Sequence, residues 1–444
     1  MSFLQKISLL FADEKEFSDE HLLALDIGTT SVKAIVFKIE RDFEKKISKA
    51  AVLGLGKALA GQGVNENKYA ANMEIARMCR EAKIEAENMA GVKVRQAIFS
   101  AAGQLINGAS NSEIYEREDS EKPIDLAEMK NIIQKAQWKI FNKIRIEETE
   151  VSGIPELETK LISGEIIEIK IDGYKVIDPI GFHGKELSLN ILNIYSSLSY
   201  LKLFQRLGEI LDLEIVALAC QPLAILGAVA NNIFKVNSFA EISAILIDCG
   251  GKFTDIYFAS QGVLNGPKTL SIGGEAFTKR LASGFDLDYK EAEDLKIKYS
   301  DSDISAQIKR KITDAFNYNF RIWQEGVGMI FSDFSALVNF PSVILLCGGG
   351  ALLPGIKKSL EDSEWQSGFS FLESVKSGFI KNSDLAGIED KTGLLIGSQN
   401  IAALALANFG LGLPSSRSSS LLGLAKKESV VNSILNRVIR LMQN

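Results

Sequence analysis

The sequence predicts an α/β fold, because three apolar runs, each typical of a buried strand, end in a glycine-rich turn. The runs are HLLALDIGTTSVKAIVF at 21–37, SAILIDCGGKFTDIYF at 243–258 and SVILLCGGGALLPG at 342–355. In the first two, the apolar residues reach an aspartate, Asp26 or Asp248, just before the turn. The small residues after each acid allow backbone N–H groups to approach a phosphate closely.

A carboxylate followed by a glycine turn suits a Mg²⁺-bound triphosphate. The acid repels a phosphate, but it can hold the hydrated Mg²⁺ that bridges phosphate oxygens. The third turn has no acid, so we interpret it as a nucleoside contact. One such turn alone is more often an ordinary bend in an α/β domain, whereas three in order favour a nucleotide site. The motifs G-x-x-x-x-G-K-[ST] and, after a strand, G-x-G-x-x-G do not occur, which disfavours P-loop and dinucleotide folds.

Composition narrows the class of protein. The 444 residues, 46% hydrophobic and 24% charged, have an ordinary soluble composition and enough length for more than one domain. A net charge of −6 gives no general attraction to nucleic acid or anionic lipid, so any membrane affinity must be local. The four cysteines show no metal-type spacing, and we expect reduced thiols in a cytoplasmic protein. The two histidines are expected to be structural.

Between the first two glycine turns, residues 94–196 are predicted to form a compact α+β insert. The segment PIDLAEMKNIIQKAQWKIFNKI has apolar residues at helical spacing, and Asp125 with Glu128 resembles a capping box at its start. Strand alternation returns afterwards and is broken at Asp172-Gly173, a dipeptide typical of a hairpin turn.

The C-terminal tail is predicted to hold a flexible linker and an amphipathic helix. LGLPSSRSSSLLGLAKKES, at 411–429, is rich in serine, which is typical of a linker. In the helix that follows, four apolar residues share one face: Val431, Ile434, Leu435 and Val438. Arg437 lies at the edge of this face and Arg440 lies opposite it. This pattern favours a helix in a membrane interface, and docking on a protein is the alternative. No apolar run reaches the ~20 residues that span a bilayer.

Together these features resemble the actin-like ATPase superfamily and, within it, the FtsA family of bacterial cell-division proteins. The resemblance covers nearly the whole chain from His21. It rests on the insert, on IDGYKVIDPIGFHGKELSLNI within it, on SIGGEAFTKRLA after the second turn, and on the terminal helix behind a linker. It implies an actin-like two-lobed ATPase fold with an α+β (SHS2-type) inserted subdomain that contacts neighbouring subunits.

The resemblance also implies how the chain is divided. We expect an N-terminal arm at 1–20, a first lobe at 21–93 completed by 197–238 and 385–411, and the insert at 94–196. The core of a second lobe is expected at 239–278 with 335–384, and its outer subdomain at 279–334. A linker at 412–425 and a membrane-targeting helix at 426–444 follow.

An ATP site is implied residue by residue. Asp26 and Asp248 would flank Mg²⁺ through water, and Gln221 would orient an attacking water. The remaining contacts would be Gly28, Thr29, Thr30 and Lys33 at the first phosphate loop, Gly250, Gly251 and Thr254 at the second, and Gly273, Gly274, Glu293, Lys296, Gly348, Gly349 and Gly350 around the nucleoside. Lys252 and Phe253 replace two residues that are usually small, so we expect ATP binding with slow or negligible hydrolysis.

The function implied is that of an ATP-binding protein that polymerises with itself at the cytoplasmic face of the cell membrane. It would bind the anionic membrane surface and the C-terminal peptide of FtsZ, and no nucleic acid. The alternative is a PilM-like cytoplasmic scaffold of pilus or secretion assembly that binds a PilN-like peptide, favoured by GTTSVKAIVF and by the short apolar N-terminal arm. A sugar or acid kinase ranks below both, because no acid is recognisably poised over a substrate cleft.

Overall fold

The structure is a computed structural model. It describes residues 21–413 except 43–46, 61–67, 103–106, 153–158, 177, 237–240, 261–262, 302 and 335–338. The predicted arm at 1–20, the linker beyond 413 and the helix at 426–444, with Val431, Ile434, Leu435, Arg437, Val438 and Arg440, lie outside the described residues.

Fifteen strands are found in the described ranges. They are β1 (His21–Ile27), β2 (Ser31–Asp42), β3 (Ile47–Leu59), β4 (Gln96–Ala101), β5 (Asn107–Glu116), β6 (Thr159–Ile171), β7 (Tyr174–Val176), β8 (Glu186–Ser197), β9 (Glu214–Cys220), β10 (Ala244–Cys249), β11 (Thr254–Ser260), β12 (Val263–Leu270), β13 (Val343–Cys347), β14 (Lys376–Phe379) and β15 (Ile388–Asp390).

Ten α-helices connect these strands within the same ranges. They are α1 (Lys68–Ala90), α2 (Leu126–Ser152), α3 (Leu198–Leu211), α4 (Gln221–Val229), α5 (Gly274–Phe285), α6 (Tyr289–Ser300), α7 (Ala306–Asp333), α8 (Pro354–Leu360), α9 (Ser363–Ser367) and α10 (Ile401–Gly410). Single turns of 3₁₀-helix lie at Gly350–Leu352, Asn382–Asp384 and Ser398–Asn400, and a π-helical turn lies at Ala230–Phe234.

Two mixed sheets and one antiparallel sheet result. The first lobe is built on a six-stranded sheet in the order β15-β3-β2-β1-β4-β9, and the second lobe on a five-stranded sheet in the order β12-β11-β10-β13-β14. In each, an antiparallel hairpin (β1 with β2, β10 with β11) lies beside a parallel strand, β4 or β13. One buried core covers the first-lobe sheet and extends to one face of the second-lobe sheet, at Leu246 and Leu345. A second core lies on the other face of the second-lobe sheet, at Ile245 and Ile247, because the central strands are apolar on both faces. The described helices include none that is long and apolar enough to cross a membrane.

The insert is a four-stranded sheet in the order β5-β8-β6-β7, with α2 packed on it. It begins later than the predicted residue 94, because β4 pairs with β1 and β9 in the first-lobe sheet. The residues predicted at helical spacing are buried against this sheet: Met129, Ile132, Ile133, Ala136 and Ile140. Asp172 and Gly173, both at positive φ (47° and 84°), form the predicted turn between β6 and β7. In chain order the insert is β5, α2, β6, β7 and β8, so it contains the strand–helix–strand–strand order of the predicted SHS2-type subdomain and one further strand.

One local prediction in the insert is half right. The Asp125 carboxylate accepts a hydrogen bond from the Glu128 backbone N–H at 2.8 Å, as a helix cap does. The Glu128 carboxylate, however, does not complete a capping box. It binds the buried guanidinium of Arg117 at 2.8 and 2.9 Å, because a buried charge requires an ionic partner.

Candidate functional site

The first two glycine turns have the same backbone geometry. The Gly28 N–H donates to the Ser31 carbonyl at 3.0 Å, and the Gly250 N–H donates to the Phe253 carbonyl at 2.9 Å. Phe253 closes its turn through a main-chain carbonyl, and the Lys252 side chain is exposed. Lys252 and Phe253 are therefore compatible with the turn.

The two turns face each other across a cleft between the lobes. The Lys252 N–H lies 3.4 Å from the Thr29 hydroxyl of the opposite turn. A Cβ added to Gly251 would lie 1.9 Å from Thr30 Oγ1, so only glycine fits at this contact. The structure thus brings together Thr29, Thr30 and Gly251, as the sequence-based site requires.

In the first lobe, the acid before the turn is surrounded by polar partners. Asp26 is buried, accepts a hydrogen bond from Ser100 Oγ at 3.1 Å, and forms an ion pair with Lys33 Nζ at 3.7 Å. Ser100 Oγ also accepts from the Ile27 N–H at 3.1 Å. Sequence reasoning missed Ser100, although a serine among the apolar residues of a strand that ends beside the first turn was an available signal.

In the second lobe, the corresponding acid lies in a less favourable setting. Asp248 Oδ2 accepts from Gln221 Nε2 at 2.7 Å. Burial, followed by the charges of Asp255 and Asp26, raises the pKa of Asp248 to about 7, and Lys33 and Gln221 only partly oppose this. Asp255, also missed from the sequence, has its own pKa raised by burial while it accepts a hydrogen bond from the Thr269 hydroxyl at 2.6 Å.

The N-terminus of α5 forms the floor under the second turn. The Gly274 N–H donates to the Gly250 carbonyl at 3.0 Å, and the Glu275 N–H donates to the Gly251 carbonyl at 2.8 Å. A Cβ on Gly273 would lie 2.5 Å from the Gly251 carbonyl oxygen. The close approach of these backbones explains the glycines, and it places Gly273 and Gly274 directly behind the second turn.

Buried Lys296 pairs with half-buried Glu293 beside this floor. Lys296, only 9% exposed, donates to Glu293 Oε2 at 2.6 Å, to Thr278 Oγ1 at 2.8 Å and to the Gly274 carbonyl at 3.2 Å. Thr278 also donates to Glu293 at 2.5 Å. The pair that was predicted to contact ribose and base is therefore held against the glycine turns.

The third turn packs against the second. Gly348 has φ +88°, which favours glycine, and a Cβ there would lie 2.3 Å from Asp248 Oδ1. Glycine is therefore required both by the backbone conformation and by the close contact. A Cβ on Gly350 would lie 2.7 Å from the Cys249 sulfur, whereas one on Gly349 would meet no atom within 4 Å. Of these three glycines, Gly349 is thus the one with free space beside its Cα atom.

Thr254 requires a correction. Its side chain is 0% exposed, its hydroxyl donates to the Ile272 carbonyl at 2.7 Å, and it accepts from Trp323 Nε1 at 3.0 Å. A buried hydroxyl that already donates one hydrogen bond and accepts another is not available to a ligand. Thr254 therefore supports the second turn from behind and is not a phosphate contact through its side chain.

The acids fit a hydrated Mg²⁺ better than a directly ligated metal. The described residues contain no cluster of three or more His, Cys, Asp or Glu side chains that could hold a metal ion. Mg²⁺ usually keeps several waters and needs only one or two carboxylates together with phosphate oxygens. Asp26 and Asp248 are near enough for one charge to raise the other's pKa, and an intervening dication would relieve that repulsion.

Two lobes with paired glycine hairpins facing one cleft define a protein of the actin-like ATPase fold. A solved PilM–PilN type IV pilus biogenesis complex shares it, with a TM-score of 0.59 and 17% identity over 88% of this chain and 98% of that one. A family model described as "Cell division protein FtsA" matches residues 245–389.

Curated relatives extend this similarity over most of the chain. Cell division protein FtsA of Bacillus subtilis (strain 168) is 24% identical over 366 residues, 78% of this chain and 77% of that protein. FtsA of Streptococcus pneumoniae serotype 2 (strain D39 / NCTC 7466) is 24% identical over 352 residues, 75% and 71% of the two chains. The resemblance to FtsA that the sequence motifs predicted is confirmed.

Proposed function

We propose that this chain is an ATP-binding, actin-like protein of cell division that polymerises at the cytoplasmic face of the membrane and anchors FtsZ there. The observation that carries the nucleotide part is the pair of glycine hairpins. They face each other with Asp26 and Lys33 behind one turn and Asp248 and Gln221 behind the other. The similarity to FtsA supports the cell-division part.

In this proposal, the N–H groups of the two turns and Lys33 bind the phosphates, and Asp26 and Asp248 hold the water shell of Mg²⁺. The bound Mg²⁺ would neutralise phosphate charge. The Gln221 amide nitrogen is used by Asp248, so its side-chain oxygen is the atom that can orient a water. Hydrolysis at a site of this kind depends on the positioning of the attacking water and on stabilisation of charge, and we propose binding with weak or no hydrolysis.

ATP would act as a conformational ligand. Since the turns belong to different lobes, a nucleotide that contacts both favours the closed arrangement by binding it more tightly. Calorimetry with Mg²⁺-ATP tests this step, and Asp26→Ala should abolish binding while Asp314→Ala, an exposed acid on α7, should not. Absence of binding by the unaltered chain would refute the nucleotide part.

The membrane part rests on residues outside the described ranges and is tested separately. Co-sedimentation with anionic liposomes should compare the full chain with one that ends at Gly423, with and without Mg²⁺-ATP. We expect only the full chain to pellet, and more so at high protein density, because one short helix binds weakly and many copies bind together. If neither form pellets, the tail is not a membrane anchor.

A PilM-like scaffold is the second candidate, supported by the fold shared with PilM in the pilus complex. The two candidates differ in the peptide that they bind. Fluorescence anisotropy with an FtsZ C-terminal peptide and with a PilN-like peptide separates them. Binding of the first alone supports the division role, and binding of the second alone supports the scaffold.

A further inference from the structure

A second lysine lies in the same cross-strand row as Asp26 and Lys33. Strand register places Lys33 opposite Asp26 on β1 and β2, and Lys57 opposite Lys33 on β2 and β3. Residues directly opposite on neighbouring antiparallel strands point to the same face of the sheet. Lys57 therefore shares the face of the sheet on which the acid of the first turn lies.

The packing of β3 confirms which face this is. Gly56 lies directly against α1, since a Cβ there would be 1.9 Å from the Ala82 carbonyl oxygen. Side chains alternate along a strand, so Lys57 points away from α1. The end of β3 is also tied to the first glycine turn, because the Ala60 N–H donates to the Thr30 carbonyl at 2.9 Å.

Charges on both sides of the cleft act on Lys57. Its side chain is open to water, yet partial burial is the main cause that lowers its pKa, followed by the charge of Lys33. Across the cleft, Glu293 raises the pKa and Lys296 lowers it. The charges that act on Lys57 thus include Lys33, beside the first turn, and the pair on α6.

The acids near Lys57 already have other partners. Asp26 pairs with Lys33 at 3.7 Å, and Glu293 pairs with Lys296 at 2.6 Å. The Glu85 carboxylate on α1 accepts a hydrogen bond from the Lys57 main-chain N–H at 2.8 Å. Among the residues that the structure describes, none forms an ion pair with the Lys57 ammonium group. The Lys57 ammonium group is solvated and has no anionic partner among these residues, so it attracts an anion. Together with Lys33 it favours an anion with several charges that contacts both lysines.

We propose that Lys57 binds the phosphates of the nucleotide as a second cation beside Lys33 and makes the cleft prefer triphosphate over diphosphate. This rests on the proposed nucleotide binding. Each phosphate adds negative charge that two neighbouring lysines stabilise more than one does. Lys57 is a binding residue in this role and takes no part in proton transfer.

The test measures affinity by calorimetry for Mg²⁺-ATP, Mg²⁺-ADP, adenosine and inorganic tripolyphosphate. Lys57→Met keeps the aliphatic stem and removes the charge, and Lys57→Arg restores the charge. Lys49→Met removes a lysine from the same strand whose partner is Glu389, and serves as the matched control. We expect Lys57→Met to weaken ATP and tripolyphosphate about tenfold, ADP about threefold and adenosine not at all, with Lys57→Arg near the original affinity.

Each other outcome decides against the inference or against its premise. Equal losses for adenosine and ATP would show that Lys57 acts through lobe contacts and overturn the phosphate role, as would no change in any affinity. If the unaltered chain binds tripolyphosphate but not ATP, the nucleotide proposal fails while a Lys57→Met loss still supports the anion site. If it binds neither, both are wrong.

Discussion

The acid before the glycine turn faces Lys33 across the hairpin in the first lobe, whereas the acid at the same place in the second lobe faces Asp255. The neighbouring parallel strand supplies the Ser100 hydroxyl to Asp26, whereas in the second lobe the strand register places Cys347 beside Asp248. The two lobes therefore share one backbone arrangement, whereas the side chains around Asp26 differ from those around Asp248.

This contrast separates two roles. Asp26 accepts a hydrogen bond from Ser100 and pairs with Lys33, which suits a fixed support for the first turn. The pKa of Asp248 is raised to about 7, so a proton can be displaced by a cation at that pH. We therefore expect Asp26 to support the first turn and Asp248 to lose a proton when the proposed Mg²⁺ binds.

The largest effect is expected where the two turns touch. Gly251→Val places side-chain atoms where Thr30 Oγ1 lies 1.9 Å from an added Cβ, so the turns must separate. We expect a loss of Mg²⁺-ATP affinity of about 100-fold or more by calorimetry. Gly284→Ala on α5 is the control, because a Cβ there meets nothing within 4 Å. Partial recovery in Gly251→Ala with Thr30→Gly, relative to Gly251→Ala alone, would sharpen the assignment, and unchanged affinity in Gly251→Val would contradict it.

Removing each acid should change stability in opposite directions. Because the folded pKa of Asp248 is raised, its stabilising contribution is present below about pH 4 and is lost as pH rises to about 7. Without nucleotide, Asp248→Asn should therefore gain stability over the unaltered chain as pH rises from 4 to 8, by on the order of 4 kcal/mol. Asp26→Asn should lose about 2 kcal/mol, since Lys33 is left without its partner. Thermal melts at pH 4 and pH 8 measure both, and parallel responses would contradict the contrast between the lobes.

The sequence predicted the hairpins because strand patterns, acids and glycine turns are local signals. It identified Asp26, Asp248 and Gln221, which the fold brings to one cleft. It missed Ser100, Asp255 and Lys57, whose positions depend on strand register between distant segments. Register is fixed by packing of both sheet faces, and no short motif encodes it.

Thr254 shows the opposite error. A motif assigned it to the phosphate loop by its place in the chain, but alternation along β11 turns its side chain into the core beside Trp323. The motif locates the loop correctly and does not say which face each residue takes. Burial of Lys296 likewise follows from its contact with α5, which periodicity on α6 alone does not reveal.

A tenfold effect is expected from pH. Asp248 must be ionised to hold Mg²⁺, so Mg²⁺-ATP affinity should rise about tenfold between pH 6 and pH 8 as its proton is lost near pH 7. Asp255→Asn removes the second-largest cause of that raised pKa and should move the midpoint to lower pH. Calorimetry in buffers of different ionisation enthalpy measures the proton released. A flat profile in the unaltered chain would show that Asp248 does not hold the cation.

The smallest effect is expected from exchanging the neighbours of the two acids. Ser100→Cys replaces the hydroxyl that donates to Asp26 at 3.1 Å with a weaker donor and should cost about 1 kcal/mol of stability. Cys347→Ser offers Asp248 a hydroxyl in the corresponding place, and a hydrogen bond to the charged form lowers a carboxyl pKa. Its pH midpoint for Mg²⁺-ATP binding should therefore fall by a few tenths of a unit, while Ser100→Cys should leave that midpoint in place. If both exchanges move the midpoint equally, the two acids share one titration and the division of roles between the lobes is wrong.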